Sequence, residues 1–151
     1  MIAKTVRRAL APFVMILAAW LASAGAAQAT GQPRLALVIA NSAYQTLPSL
    51  PNAARDGDAI AAALTTARFV DAAGAGPVRV RRNLTQAQLR AELAAFSEAL
   101  AEAGDQAFGV VYFSGHGVTL GSGGDGALLP VDQGAELRPG LVTRAAITDQ
   151  L

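Results

Sequence analysis

Among 151 residues there is one histidine, His116, and no cysteine. The histidine lies in Ser114-Gly115-His116-Gly117, so glycine stands on both sides of it. An imidazole is the side chain best suited to move protons near neutral pH. Flanking glycines free the backbone of Cβ crowding and leave room for a substrate chain. They also leave the Gly117 amide able to donate to a developing oxyanion. A solitary histidine is more commonly a satisfied structural side chain, and that reading stays open beside the catalytic one. The absence of cysteine removes a disulfide framework, a thiolate metal site and a thiolate nucleophile. Ser114 and Ser122 are the nearby hydroxyls, but neither sits in the G-x-S-x-G turn that exposes an activated serine. Gly121-Ser122-Gly123-Gly124-Asp125-Gly126 matches a dinucleotide-type glycine pattern. It leads into Ala127-Leu128-Leu129-Pro130 instead of joining a strand to a helix, so a mobile loop beside the histidine is expected.

These residues need a scaffold, and the hydrophobic pattern supplies one. Leu35–Ala40 is a continuous apolar run of the length of a strand buried on both faces. Asn41 to Asn52 reads as a loop, and Ala59, Ile60, Ala63 and Leu64 share one face of a helix running from Ala53 to near Arg68. Val78–Arg81 alternates as a half-exposed strand does. Arg79, Arg81 and Arg82 read as solvated charges on an edge strand. Thr85 and Gln88 have capping-box spacing, and Leu89, Leu93, Phe96 and Leu100 form the buried stripe of a second helix ending at Gly104. Asn83-Leu84-Thr85 also matches a glycosylation acceptor, but the cap accounts for the threonine. Ala107–Phe113 is another run of buried-strand type. Strand, helix, strand, helix, strand implies an α/β fold with a mainly parallel sheet. Such sheets collect their chemistry beyond the carboxyl ends of the strands, and His116 follows one of those ends.

The first thirty residues have a different logic. Lys4, Arg7 and Arg8 precede an apolar stretch from Ala9 to Ala22, and Ala27-Gln28-Ala29 offers small residues around a cleavage point. Residues 1–29 are therefore expected to be a signal peptide cut before Thr30, leaving residues 30–151 as the domain. The apolar stretch is short for a membrane span and contains Pro12, so no stable membrane anchor is expected after cleavage. The destination is the periplasm or the outside medium. The formal charge of +1 belongs to this segment; without its three cations, nine arginines face eleven acidic residues. That balance of −2 offers no footprint for nucleic acid.

Tyr112-Phe113-Ser114-Gly115-His116-Gly117 resembles the strand-end histidine motif of caspase-like cysteine peptidases, the bacterial metacaspase type in particular. Leu35–Tyr44 is similar to that family's first strand and following loop. Leu50-Pro51-Asn52 through Asp56, then Ala59 to Leu64, is similar to the stretch leading into its first helix, and Leu128–Asp132 to the segment after the histidine loop. The resemblance covers residues 34 to 151. It implies a caspase-like three-layer sandwich and a cysteine–histidine dyad acting on protein or peptide substrates. By position His116 is the dyad histidine, Gly117 an oxyanion donor, and Asp56 an acidic group of the pocket that would favour Arg or Lys before the cut. Arg55 departs from the asparagine common in relatives, and Asp56 also suits the first turn of a helix. Some metacaspases bind calcium, toward which Asp125 and Asp132 are only two separated carboxylates. No metal site or cofactor is expected.

In that family the nucleophilic cysteine follows a fourth strand, after a helix that here would begin with Thr148 as its N-cap. The sandwich is thus expected to be incomplete at its C-terminal side and inactive as given. Two readings follow: a shortened exported peptidase, or a non-catalytic caspase-like module that binds peptides or proteins. The strand Phe108–Phe113 would then carry an open apolar edge prone to self-association.

Overall fold

The structure, a computed structural model, describes residues 31–150 apart from 75, 121–124 and 138. The signal-peptide expectation and Ser122 lie outside the described residues.

Strand β1 (Arg34–Ala40) is the centre of a four-stranded parallel sheet. Every residue after Arg34 is buried, as a continuous apolar run between two covered faces requires. Along one edge β1 pairs with β4 (Phe108–Ser114) over its whole length, from Arg34 opposite Phe108 to Ala40 opposite Ser114. The other edge is shared by two short strands, β2 (Val70–Asp71) beside Leu35 and Ala36, and β3 (Val80–Arg82) beside Val38 to Ala40.

Helices cover both faces. Helix α1 (Pro51–Thr66) starts two residues earlier than the apolar pattern suggested, because proline suits the first helical position, where no amide donor is needed. Its buried residues are Ala53, Gly57 and Ala61, all small. A Cβ on Gly57 would lie 2.9 Å from the Ala40 Cβ and 3.0 Å from a Val80 methyl, so the helix rests directly on the sheet. This face holds Ala36, Val38, Ala61, Phe69 and Val78. Helix α2 (Gln86–Ala103) covers the opposite face, where Leu89, Leu93 and Phe96 pack on Leu35, Leu37 and Ile39. Its Thr85–Gln88 capping box is formed as expected. Two helical layers around a parallel sheet make the expected three-layer α/β sandwich.

Four expectations need correction. Strand β4 is exposed at Phe108 and half-buried from Gly109 to Ser114, not of fully buried type. One edge is bonded to β1, and among the described residues no strand pairs with the other. The arginines of the edge are not all solvated: Arg81 bonds Asp71 at 2.8 Å and Glu92 at 2.9 Å, with 17% of its side chain exposed. The glycine-rich stretch is not all loop, since β5 (Gly117–Leu120) and β6 (Asp125–Leu128) form an antiparallel pair joined by β7 (Val142–Thr143). Lastly, the terminal helix α3 spans Arg144–Gln150. Thr143 Oγ1 accepts from the Ala146 amide and serves as its cap, whereas Thr148 lies inside and donates to the Arg144 carbonyl.

The second sheet encloses a smaller core of Tyr44, Ala127, Leu129, Val131 and Leu141. Among the described residues no helix is long and apolar enough to cross a membrane.

Candidate active site

His116 stands where the chain leaves the parallel sheet at Ser114 and enters the antiparallel one at Gly117. The loop between β1 and α1 grips it from the side. The imidazole Nε2 lies 2.9 Å from the Pro48 carbonyl oxygen. A carbonyl only accepts, so Nε2 carries the proton and Nδ1 is left as the basic nitrogen. Nδ1 has no hydrogen-bond partner among the described residues. The Tyr44 ring meets the imidazole edge-on, with centroids 4.6 Å apart.

The backbone is held as firmly. The His116 amide donates to the Tyr44 hydroxyl at 2.7 Å, and that hydroxyl donates to the Leu129 carbonyl at 3.1 Å. The Leu129 amide returns a bond to the His116 carbonyl at 3.0 Å. Burial, the largest influence on the Tyr44 hydroxyl, raises its pKa, so it stays a neutral donor. Antiparallel bonding alternates, and His116 opposite Leu129 is a bonded pair. The next pair, Gly117 opposite Leu128, therefore directs the Gly117 N–H away from β6. A Cβ on Gly117 would meet only the Ala127 carbonyl oxygen, at 3.4 Å. The basic nitrogen and the amide donor belong to neighbouring residues, and among the described residues neither has a hydrogen-bond partner.

Gly115 differs from its expected role. A Cβ there would lie 2.6 Å from the Tyr44 hydroxyl and 2.7 Å from the Phe113 ring. The space beside this glycine is filled by tyrosine and phenylalanine, not kept for substrate. Gly117 faces the open side.

The gripping loop has its own anchor in Asn41, fully buried at the end of β1. Its Oδ1 accepts from the Leu84 amide at 2.9 Å, and its Nδ2 lies 3.3 Å from the Leu129 carbonyl. Asn83, at φ +53°, turns its Oδ1 to the amides of Ser42 and Ala43 at 3.0 and 2.9 Å. Neither Asn41, Tyr44 nor Pro48 stood out as a site residue in the sequence. The signal was present only as loop-type residues after a buried strand.

Asp56 is exposed on α1, in the second turn and not the first, because the helix begins at Pro51. No hydrogen bond, ion pair or ring contact joins it to His116 among the described residues. Asp132 accepts from the Gln86 amide at 2.9 Å, at the start of α2, and Asp125 faces the Ala145 amide at 3.4 Å, in the first turn of α3. The two carboxylates thus serve different helices. Among the described residues no three His, Cys, Asp or Glu gather as metal ligands. Ser114 ends β4 opposite Ala40, and its carbonyl accepts from the Asn41 amide at 2.8 Å.

Beside the open edge of β4 lies an apolar cleft of about 500 Å³, lined by Val111, Phe113, Gly117, Leu128 and Ile147 among others. A parallel sheet between helical layers, presenting one histidine and one free amide past a strand end, defines an α/β sandwich with a carboxyl-end site. The caspase domain family model matches residues 33–151. The chain belongs to the caspase domain family, whose members are peptidases acting on protein substrates. No curated protein matches it.

Proposed function

We propose that residues 30–151 are the histidine-bearing part of an exported, metacaspase-type cysteine endopeptidase domain that cuts after arginine or lysine. The observation that carries this reading is the imidazole bound through Nε2 to Pro48, with Nδ1 free beside the free Gly117 amide.

In this mechanism a cysteine thiol gives its proton to His116 Nδ1, and the sulfur attacks the scissile carbonyl carbon. The carbonyl oxygen gains the charge and accepts from the Gly117 N–H. The imidazolium then returns its proton to the departing amine. Asp56 would meet the basic side chain before the cut. No cysteine occurs in this sequence, so the chain by itself performs none of these covalent steps. The sulfur belongs on a strand added at the free edge of β4, within reach of the cleft.

A second reading, a non-catalytic module that binds extended peptides, is favoured by the same apolar cleft and open edge. Self-association through that edge accompanies either reading.

The test is hydrolysis of fluorogenic Arg and Lys peptides. The 151-residue chain is expected to release nothing. The chain extended by a strand carrying Asp-x-Cys is expected to cleave, and to lose cleavage on His116→Ala. Cleavage by the unextended chain that disappears in His116→Ala would overturn the assignment of a sulfur nucleophile. N-terminal sequencing of the exported product is expected to begin at Thr30.

A further inference from the structure

We propose that Tyr44 is a positioning residue for His116, its hydroxyl fixing the backbone turn and its ring the imidazole, so that the Nε2–H tautomer is held ready. The inference builds on the dyad reading and adds a residue that neither the motif nor the family match singles out.

Four independent features converge on this side chain. Its hydroxyl stands between His116 and Leu129, replacing one direct bond of the pair that immediately precedes the β5–β6 ladder with a two-step bridge. The opposite bond of that pair, Leu129 amide to His116 carbonyl, is direct. A hydroxyl inserted on one side only splays the two strands at the point where the chain changes sheets. Secondly, the ring contacts the imidazole edge-on at 4.6 Å. That contact limits rotation of the histidine side chain and keeps Nε2 on the Pro48 carbonyl. Thirdly, Gly115 has no Cβ where the hydroxyl sits, and any other residue would displace it. Fourthly, the tyrosine is itself immobilised, being 9% exposed and packed with Leu129 and Val131.

Pro48 and Tyr44 lie on one loop, so a single element sets both the backbone and the tautomer of the histidine. The adjoining Gln45 amide donates to the Val131 carbonyl at 2.9 Å, and the Leu50 amide to the Ser42 carbonyl at 2.9 Å. These bonds stop the loop from drifting as a unit. A wrong tautomer would place a proton on Nδ1 and leave no base for the thiol.

With only one histidine in the chain, its ring nitrogens give a single assignable pair of ¹⁵N signals. The measurement uses the labelled full chain at alkaline pH, with the imidazole neutral. The parent is expected to show Nε2 protonated and Nδ1 bare. Tyr44→Phe keeps the ring and removes the hydroxyl. It is expected to shift the two signals toward a mixture of tautomers and to speed exchange of the His116 amide roughly 10-fold, the scale of one lost hydrogen bond. Gly115→Ala, which displaces the hydroxyl, is expected to do the same. If Nδ1 carries the proton in the parent, the dyad reading itself fails. If the parent shows Nε2–H and both variants leave the ring signals and amide exchange unchanged, the Tyr44 proposal is overturned and the dyad reading stands. In the parent, a protected Tyr44 hydroxyl proton close to the His116 amide is also expected. Its absence would overturn the proposal even where a variant does not fold.

Discussion

Asp71 is the most heavily engaged charge in the described residues. Burial pushes its pKa upward, but the Arg81 hydrogen bonds, the amides of Ala73 and Arg79 and the Arg81 charge outweigh that, and the value falls below the usual one. A carboxylate with a depressed folded-state pKa stabilises the fold above its unfolded pKa, about 3.9. The contribution is lost as pH falls through the lower, folded value. Asp71→Asn is expected to lower stability at pH 7 and to flatten the acid limb of a stability–pH curve measured by denaturant unfolding. Asp71→Ala leaves Arg81 half-paired in a partly buried setting, with an expected cost of about 3–5 kcal/mol. The Arg82–Asp58 pair is more exposed, at 42% and 60%, and its removal should cost under about 1 kcal/mol. The alternation Val78–Arg81 showed in sequence that this strand has a wet side. It did not show that an aspartate from β2 and a glutamate from α2 would meet Arg81, because those partners are 10 and 11 residues away along the chain.

At the scale of elements, the helices were legible and their contacts were not. Capping is local: Thr85 and Gln88 act within one turn, so the start of α2 followed from spacing alone. Thr85→Ala is expected to cost about 1 kcal/mol, read as a lower midpoint in urea at unchanged slope. The closeness of α1 to the sheet depends instead on Gly57 meeting Ala40 and Val80, residues 17 and 23 positions away. Gly57→Val is expected to force the helix outward and destabilise by about 1–3 kcal/mol, with the largest loss of amide protection in β3. The antiparallel sheet escaped prediction for a related reason. Gly117-Val118-Thr119-Leu120 and Asp125-Gly126-Ala127-Leu128 are only four residues each and interrupted by glycines, and their pairing is set by the small core around Tyr44 and Leu129.

For the molecule as a whole, the edge of β4 that no strand pairs with among the described residues is expected to govern behaviour in solution. Phe108 is 51% exposed, and the strand Phe108–Ser114 contains neither a charge nor a proline to discourage pairing. The chain is expected to associate with rising concentration in analytical ultracentrifugation, and Val111→Lys to shift it toward monomer. A concentration-independent monomer in the parent would contradict this.

The sequence by itself determined the α/β class, the order of the main strands and helices, the capped helix and the placing of His116 past a strand end. Each depends on local periodicity or on residue types a few positions apart, and the resemblance to caspase-like peptidases came from the same short motifs. Only the tertiary structure decided which nitrogen of that histidine is tied to a carbonyl and which is left without a partner among the described residues. Pro48 and Tyr44, 68 and 72 residues before it, meet it through the return of the chain along β4. It also decided that Gly115 makes room for a tyrosine hydroxyl and that the Gly117 amide points away from β6. Two glycines that look alike in a motif differ because one faces a packed core and the other faces water.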